Sequence, residues 1–318
     1  MNHLEHIATG PMWAGFIAFV LAMLALDLFV LGGNTAHRVT VRESAGWSLA
    51  WIAMALTFNA ILWWHLGGPA GSELADRKAL EFLSGYLIEK ALSVDNIFLF
   101  LLIFSSFHVR PEYQHRILIY GVVGAIAMRA IMIVAGAWGV AKFHWVLYVF
   151  GAFLVVTGLR TMAMAARAPN LEKNPVLRLA RRYLRIASGD HGQRFVVEVD
   201  GVRHFTTLFL VLLLIETTDL IFAVDSIPAI FAITTDPFIV FTSNIFAILG
   251  LRALYFLLAD VADRFHLLRY GLAMVLIFIG TKMLIAPWYH VPVPASLLTV
   301  AVLIGASVVA SLLITRKG

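Results

Sequence analysis

Long apolar stretches constrain this chain more than any other feature of its sequence. Of its 318 residues, 61% are hydrophobic and only 14% are charged, whereas soluble domains carry about 25% charged residues. A helix needs about 20 mostly apolar residues to cross a bilayer. The sequence therefore predicts an all-α membrane protein with about nine transmembrane helices. The predicted spans are 12–32, 46–66, 79–107, 114–137, 144–165, 206–233, 237–259, 267–287 and 293–314.

The positions of Lys and Arg predict the orientation of these spans. Cytoplasmic loops of membrane proteins are enriched in both residues. If the N-terminus lies outside and the spans alternate, seventeen basic residues fall on the cytoplasmic side and four on the outer side. We therefore expect a multi-pass protein with its N-terminus outside and its C-terminus in the cytoplasm.

The segment 166–205 is the one sizeable stretch predicted to lie outside the membrane. Within it, Pro175–Ile186 has apolar and Arg residues at helical spacing, which predicts an interfacial helix on anionic lipid. Phe195–Phe205 predicts two short strands around Asp200–Gly201, because Asp-Gly is a favoured hairpin turn. We expect this segment to be a solvated, basic connector without a catalytic role.

The chain contains no cysteine. This excludes disulfides, thiolate metal sites, iron–sulfur clusters and cysteine nucleophiles, so any bound metal takes oxygen or imidazole ligands. The sequence also has no HExxH zinc motif, no GxSxG elbow and no phosphate loop. Its intramembrane aspartates lack the Gly-x-Gly-Asp context of aspartyl proteases. We expect no enzymatic activity, no resident cofactor and no nucleic-acid partner.

Three carboxylates interrupt the sixth predicted span within Glu216–Pro228, whose sequence is ETTDLIFAVDSIP. A charge at mid-bilayer costs about 2.5–3.5 kcal/mol on insertion scales, so acids there require a partner or a function. Pro228 lacks an N–H and crowds the carbonyl of Val224, which predicts that the helix bends or opens beside Asp225. Acids beside a loosened helix are typical of cation sites in transporters.

The third to fifth predicted spans resemble the sixth to eighth. The motif SVDNIF matches AVDSIP at an offset of 130, which aligns Glu89 with Asp219. The same offset aligns Asp95 with Asp225. Each half has three spans, an odd number, so the halves must be inserted in opposite directions, with a site expected where they meet. The predicted divisions are two N-terminal helices (1–78), the first repeat (79–165), the basic linker (166–205), the inverted second repeat (206–287) and a C-terminal helix (288–318).

More acids than bases lie well inside the predicted spans. Full ionisation would leave an excess of three negative charges, which favours binding of a divalent cation, of protons, or of both in alternation. Oxygen ligands suit Mn²⁺, Mg²⁺ or Ca²⁺ better than Zn²⁺ or Cu²⁺. The acids are Asp27, Glu89, Asp95, Glu216, Asp219 and Asp225, and the bases are Lys90, Arg129 and Arg252.

The intramembrane bases are predicted to balance the acids. Arg129 and Arg252 occupy equivalent positions in the two halves, in the motifs MRAIM and LRALY. We expect both to act as counter-charges that keep the acids ionised when no metal is bound. Lys90 is expected to pair with the adjacent Glu89, or to replace the cation in the empty state. Asp27 lies outside the repeat, where a structural and a transport role are both open.

Polar residues near the acids are predicted to contribute secondary contacts. Asn96 and Ser226 lie on the helical faces that carry acids of their spans, so both are candidate secondary ligands. Asn59 and Asn244 are expected to hydrogen-bond neighbouring helices rather than to bind a metal.

Two segments of the chain are specific enough to indicate a family. EKALSVDNIF at 89–98, together with ETTDLIFAVDSIPAIFAIT at 216–234, closely resembles the TerC family, which is named for tellurium resistance. The length and the Asp-Gly hairpin look most like its Alx-type branch, and its core is similar to the LysE-like exporter superfamily. The resemblance implies a bacterial inner-membrane exporter of divalent metal, chiefly Mn²⁺. The residues that match the family's acidic positions are Glu89, Asp95, Glu216, Asp219 and Asp225.

The main functional hypothesis is therefore Mn²⁺ export by alternating access, with protons as the counter-substrate. One alternative is a membrane partner protein that supplies metal to exported enzymes or confers tellurite resistance. Another is a Ca²⁺/H⁺ exchanger built on the same frame. The sequence implies the bilayer and a divalent ion as partners and identifies no protein partner.

Overall fold

The computed structural model describes residues 7–26, 40–143, 145–164, 174–187, 189, 191–259, 267–289 and 291–315. Asp27 and the side chain of Asp95 lie outside this description. Within it the chain forms eleven α-helices and one two-stranded sheet. The elements are α1 Gly10–Leu26, α2 Val41–His65, α3 Glu73–Ser106, α4 Pro111–Lys142, α5 Val146–Met164, α6 Pro175–Tyr183, β1 Val196–Val199, β2 Val202–Phe205, α7 Thr207–Phe231, α8 Pro237–Leu249, α9 Leu251–Leu258, α10 Leu268–Ile285 and α11 Val293–Thr315.

Six of the described helices are long and apolar enough to cross a membrane, namely α2, α4, α5, α7, α10 and α11. Helices α8 and α9 form a seventh span if the 40° bend between them is counted as a break within one span. The described part of α1 is apolar but has only 17 residues. Helix α3 has 34 residues, and its many charged side chains lower its hydropathy. An all-α membrane protein is therefore confirmed, whereas the described residues support six or seven spans rather than nine.

Residues at the helix ends explain where the helices near the site begin. The side chain of Ser72 accepts a hydrogen bond from the amide of Ala75 at the start of α3, as an N-cap does. Helices α4 and α8 each begin with a proline, at Pro111 and Pro237. An N–H at the first position of a helix has no partner within the helix, so a proline there costs no hydrogen bond. Asp236 also caps α8, since its Oδ1 accepts from the amide of Phe238 at 2.9 Å.

Pro228 does not open helix α7, contrary to the expectation from the sequence. The helix continues through Pro228 to Phe231. A proline deprives only the carbonyl four residues earlier of its partner. That carbonyl belongs to Val224, close to the C-terminal end of the helix. A single lost bond so near the end leaves the rest of the helix intact.

The break in the second half lies instead between α8 and α9, at Gly250. A Cβ at Gly250 would lie 2.7 Å from Nζ of Lys90 and 3.2 Å from Cβ of Trp51. Nζ of Lys90 also donates to the carbonyl of Ala247 at 3.4 Å. A cation at the carbonyl end of a helix is electrostatically favourable. The lysine of α3 therefore stabilises the buried carbonyl end of α8.

Helices from different parts of the chain pack in three main pairs. Helix α3 packs on α8, α4 packs on α7, and α5 packs on α10. An aromatic cluster joins α1 and α2 to this core. Phe58 of α2 lies 4.9 Å from Phe246 of α8 and 5.3 Å from Phe82 of α3, measured between ring centroids. Phe16 of α1 packs on Phe246 at 5.8 Å. The N-terminal helices thus brace α3 and α8.

The linker contributes a folded layer that docks on the helices. Leu177 and Ala180 of α6 are buried in the cluster that also contains the start of α7. Strands β1 and β2 pair antiparallel around Asp200 and Gly201, both of which have positive φ. Arg116 of α4 lies over the ring of a linker phenylalanine, 5.4 Å from its centroid. The basic connector is therefore attached to α4 and α7 by defined contacts.

The closest helix crossing joins α5 and α10. A Cβ at Gly280 would lie 2.6 Å from the carbonyl oxygen of Gly151 and 2.8 Å from the amide nitrogen of Val155. A Cβ at Gly158 would lie 2.9 Å from the carbonyl oxygen of Ala273. Glycines allow two backbones to approach in this way, which is a common basis of helix association in membranes.

Gly280→Ala should therefore destabilise the protein. Overpacking costs about 1–3 kcal/mol, whereas Gly→Ala at an open helix position favours the helix by about 1 kcal/mol. Gly305→Ala is the matched control, because a Cβ there meets no atom within 4 Å. Thermal unfolding in detergent should show a lower Tm for Gly280→Ala and an equal or higher Tm for Gly305→Ala. Equal Tm values for the two variants would contradict the close crossing.

Candidate functional site

Arg129 of α4 lies at the centre of the site and is only 1% exposed. Its Nη1 donates to Oε1 of Glu89 on α3. Its Nη2 donates to Oδ1 of Asp219 on α7 at 3.1 Å, and its Nε donates to Oδ2 of the same carboxylate at 3.4 Å. A buried charge is tolerated when it is paired and hydrogen-bonded in this way. One side chain therefore joins three helices through two ion pairs.

Asn244 of α8 completes a ring of hydrogen bonds with this arginine. Its Oδ1 accepts from Nη1 of Arg129 at 2.8 Å, and its Nδ2 donates to Oε2 of Glu89 at 3.2 Å. The sequence predicts only a helix-to-helix contact for Asn244, so its place in the site is new. One feature of the sequence could have indicated this role: Thr242, Ser243 and Asn244 are three consecutive polar residues in an otherwise apolar helix.

The two predicted secondary residues also lie at the site. Oγ of Ser226 accepts from Nη1 of Arg129 at 3.4 Å. Nδ2 of Asn96 donates to Oδ1 of Asp219 at 3.3 Å, which fixes the orientation of the amide. Oδ1 of Asn96 is buried and has no hydrogen-bond partner within the described part of the chain. Unsatisfied buried oxygens are rare and require an explanation, and this one belongs to a side chain that contacts the carboxylate of Asp219.

Glu216 adds a third carboxylate on α7, close enough to Asp219 for their charges to repel. Its carboxyl group lies directly against Gly124 of α4, where a Cβ would overlap it. Among the side chains that the structure describes, none donates a hydrogen bond to Glu216. Glu89 and Asp219 pair with the Arg129 guanidinium, and Glu216 lies beside Asp219, which leaves an excess of two negative charges when all three acids are ionised.

Asp225 lies apart from the pairing of Arg129 with Glu89 and Asp219, so the structure does not bring it together with these two acids. Its carboxylate hydrogen-bonds with Thr157 of α5 and lies near Arg160 of the same helix. Six residues separate Asp219 from Asp225, which places them about 120° apart around a straight helix. Because α7 stays helical through this region, the two acids face different neighbours.

The other two predicted bases have different contacts. Nη1 of Arg252 lies 3.5 Å from Nε2 of His115 near the start of α4. Arg252 belongs to α9, which is bent by 40° from α8. Lys90 is directed to the end of α8 rather than to Glu89. Among the described residues, Arg129 is the counter-charge that pairs with Glu89 and Asp219.

The described side chains contain no group of three His, Cys, Asp or Glu residues arranged to hold a metal ion. Arg129 explains this arrangement, because its guanidinium stands between the two acids that would otherwise share a cation. The ligands that are present are carboxylate and amide oxygens, which suit Mn²⁺, Mg²⁺ or Ca²⁺.

All of these site residues fall within a segment that matches a known family. Residues 74–318 match the family described as "Integral membrane protein TerC family". The chain belongs to the TerC family. It is 50% identical over 294 residues to a protein of Salmonella typhi named "Putative membrane-bound redox modulator Alx", covering 92% of this chain and 91% of the relative. It is 48% identical over 316 residues to an uncharacterized membrane protein of Myxococcus xanthus, covering 99% and 96%. No solved structure matches the chain.

Arg129→Gln should strongly destabilise the protein. Removing one partner of a buried ion pair costs about 3–5 kcal/mol, because the other charge is left unpaired. Asp219→Asn in the same chain should recover part of this loss, since it removes one of the uncompensated carboxylates. Thermal unfolding of the two single variants and the double variant measures this coupling. Additive effects of the two substitutions would contradict the pairing.

Proposed function

We propose that this TerC-family protein exports divalent metal across the bacterial inner membrane, with Mn²⁺ as its main cargo. The observation that carries the proposal is the group formed by the buried Glu89 and Asp219 and the half-buried Glu216, whose charge exceeds that of Arg129, their one counter-charge among the described residues. Ionisable residues inside membrane segments typically mark ion pathways. The spare oxygen of Asn96 adds a further ligand for a hard cation. No catalytic group is assigned, and the protein is proposed to be a transporter rather than an enzyme.

Arg129 has a defined role in this proposal. In the empty site its guanidinium compensates Glu89 and Asp219, which would otherwise repel each other in a medium of low dielectric constant. A divalent cation between these carboxylates supplies the same compensation. Metal binding therefore requires the guanidinium to move aside, toward Asn244 or Ser226, whose oxygens it already contacts.

The packing of helices between the two halves supports alternating access. The first helix of each predicted half packs on the second helix of the other, α3 on α8 and α7 on α4. Gly151 of α5 approaches Gly280 of α10, and Gly158 approaches Ala273. The alignment of the halves pairs Gly158 with Gly280, so each contact maps onto the other when the halves are exchanged. Such two-fold relations are typical of inverted-repeat transporters.

Protons are the proposed counter-substrate. A protonated carboxylate no longer attracts a metal ion, so protonation at the outward-facing site would weaken the hold on the cargo. The unpaired Glu216 is the carboxylate that can take up a proton without breaking an ion pair with Arg129.

The alternatives lead to different expectations. The relative's name refers to redox modulation, but this chain has no cysteine, so its own side chains cannot perform thiol–disulfide exchange. Tellurite is an oxyanion, which an excess of carboxylates would repel. A membrane partner protein that supplies metal to exported enzymes would bind Mn²⁺ without carrying a flux. A Ca²⁺/H⁺ exchanger would prefer Ca²⁺ in competition with Mn²⁺.

Transport by purified protein in liposomes tests the proposal directly. We expect Mn²⁺ flux from the wild type and a loss of about tenfold or more for Glu216→Gln and Asp219→Asn, since residues that support a metal typically contribute about 10-fold to 100-fold in affinity. Glu198→Gln is the control, because it makes the same carboxylate-to-amide change at an exposed position in β1. This variant should transport Mn²⁺ normally.

Several outcomes would favour the alternatives. Mn²⁺ binding without flux would indicate a partner protein, and flux that Ca²⁺ outcompetes would indicate a calcium exchanger. Normal Mn²⁺ flux in both Glu216→Gln and Asp219→Asn would contradict the assignment of the site.

A further inference from the structure

A second buried group of charges lies away from Arg129, where the start of α3 meets the loop that precedes α8. It consists of Lys78, Glu81, Thr234 and Asp236, hereafter the Lys78 network, and all four residues are at most 6% exposed. The sequence places Lys78 at the outer end of a span, where a lysine is usually solvated. Its burial beside two acids is therefore unexpected.

The network joins separate segments of the chain. Nζ of Lys78 lies 3.0 Å from Oε2 of Glu81 and 3.6 Å from Oδ2 of Asp236. Oγ1 of Thr234 donates to the same oxygen of Glu81 at 2.6 Å. The amide of Ile7, ahead of α1, donates to Oδ2 of Asp236 at 3.1 Å. Helix α3, the α7–α8 loop and the N-terminal segment are thus held together by one lysine and two acids.

The network lies in line with the candidate site. Glu81 precedes Glu89 on α3 by about two helical turns, or roughly 12 Å along the axis. Between them, α3 and α8 are in close contact, since a Cβ at Gly85 would lie 2.7 Å from Oγ of Ser243. Ser243 is fully buried, and the next residue, Asn244, contacts Glu89. Two sets of contacts therefore cover the candidate site at this end of α3: the Lys78 network and the close approach of Gly85 to Ser243.

The other end of the same helices is more open. A cavity of about 190 Å³ lies between the α3–α4 loop, the start of α7 and the linker. Its lining includes Phe107, Arg110, His191 and Thr206. Buried ion pairs therefore fill the end of the Lys78 network, and a cavity lies at the end where the linker docks.

We infer that the Lys78 network is a gate that closes the transport path at the membrane face opposite the linker. This inference rests on the proposed transport function. Ion pairs suit such a gate because they are strong when dry, whereas hydrated ion pairs contribute little. Water that enters as α3 and α8 separate weakens the pairs, so the closed and open arrangements are two distinct states.

Cysteine accessibility tests the gate. The chain has no cysteine, so Ser243→Cys provides a single thiol just inside the network. A membrane-impermeant maleimide is applied to spheroplasts and, separately, to inverted vesicles. With the gate intact we expect slow labelling from the face opposite the linker. Lys78→Met in the Ser243→Cys chain should increase labelling from that face several-fold, and Glu81→Gln should act in the same direction.

Trp63→Phe is the matched control. It removes the hydrogen bond from Nε1 of Trp63 to Asp76, 2.7 Å long, which lies near the same end of α3 but outside the network. Labelling of Ser243→Cys should not change in this variant. The gate is overturned if folded Lys78→Met shows unchanged labelling, or an increase only from the linker face. Failure of both Lys78→Met and Glu81→Gln to fold, judged by gel filtration, would assign the network to stability alone.

Labelling does not require any ion to be carried. Increased labelling in Lys78→Met without Mn²⁺ flux would therefore support the gate and reject the metal exporter. Normal Mn²⁺ flux with unchanged labelling would support the exporter and reject the gate.

Discussion

The buried pairing of Arg129 with Glu89 and Asp219 is the interaction on which the rest of the structure depends. Without it two carboxylates would be buried with no counter-charge, and without them the guanidinium could not be buried. Arginine suits this position because its planar fork binds one carboxylate through two nitrogens and still has a nitrogen left for a second. The same contacts that hold α3, α4 and α7 together therefore also gather the carboxylates of the proposed cation site.

The two halves of the chain are alike in sequence but unequal in structure, and the break between α8 and α9 is the main difference. Arg129 stands on the continuous helix α4 and reaches the acids. Its counterpart Arg252 follows the break, on α9, and contacts His115. In the transporter proposed above such inequality has a use, because exchanging the two arrangements would open the site to the other side.

The sequence was sufficient for the features that depend on local composition. Apolar stretches predicted the membrane class, and the Asp-Gly pair marked the position where β1 turns into β2. Contacts between helices were harder to predict. Asn244 and Lys78 look like an interhelical amide and a solvated lysine until the fold brings Glu89 and Asp236 beside them. The effect of Pro228 on helix α7 was overestimated, because the disruption that a proline causes depends on how much helix follows it.

A tethered cation stands at three places where the described part of the chain concentrates negative charge. Arg129 lies between two carboxylates, Lys90 lies at the carbonyl end of α8, and Lys78 lies between Glu81 and Asp236. A tethered group competes with any free cation at a high effective concentration. In the proposed exporter, the apparent affinity for cargo would therefore be reduced by the fraction of time that Arg129 occupies the acids. This would be an advantage for export, because release on the far side would need only the return of the arginine.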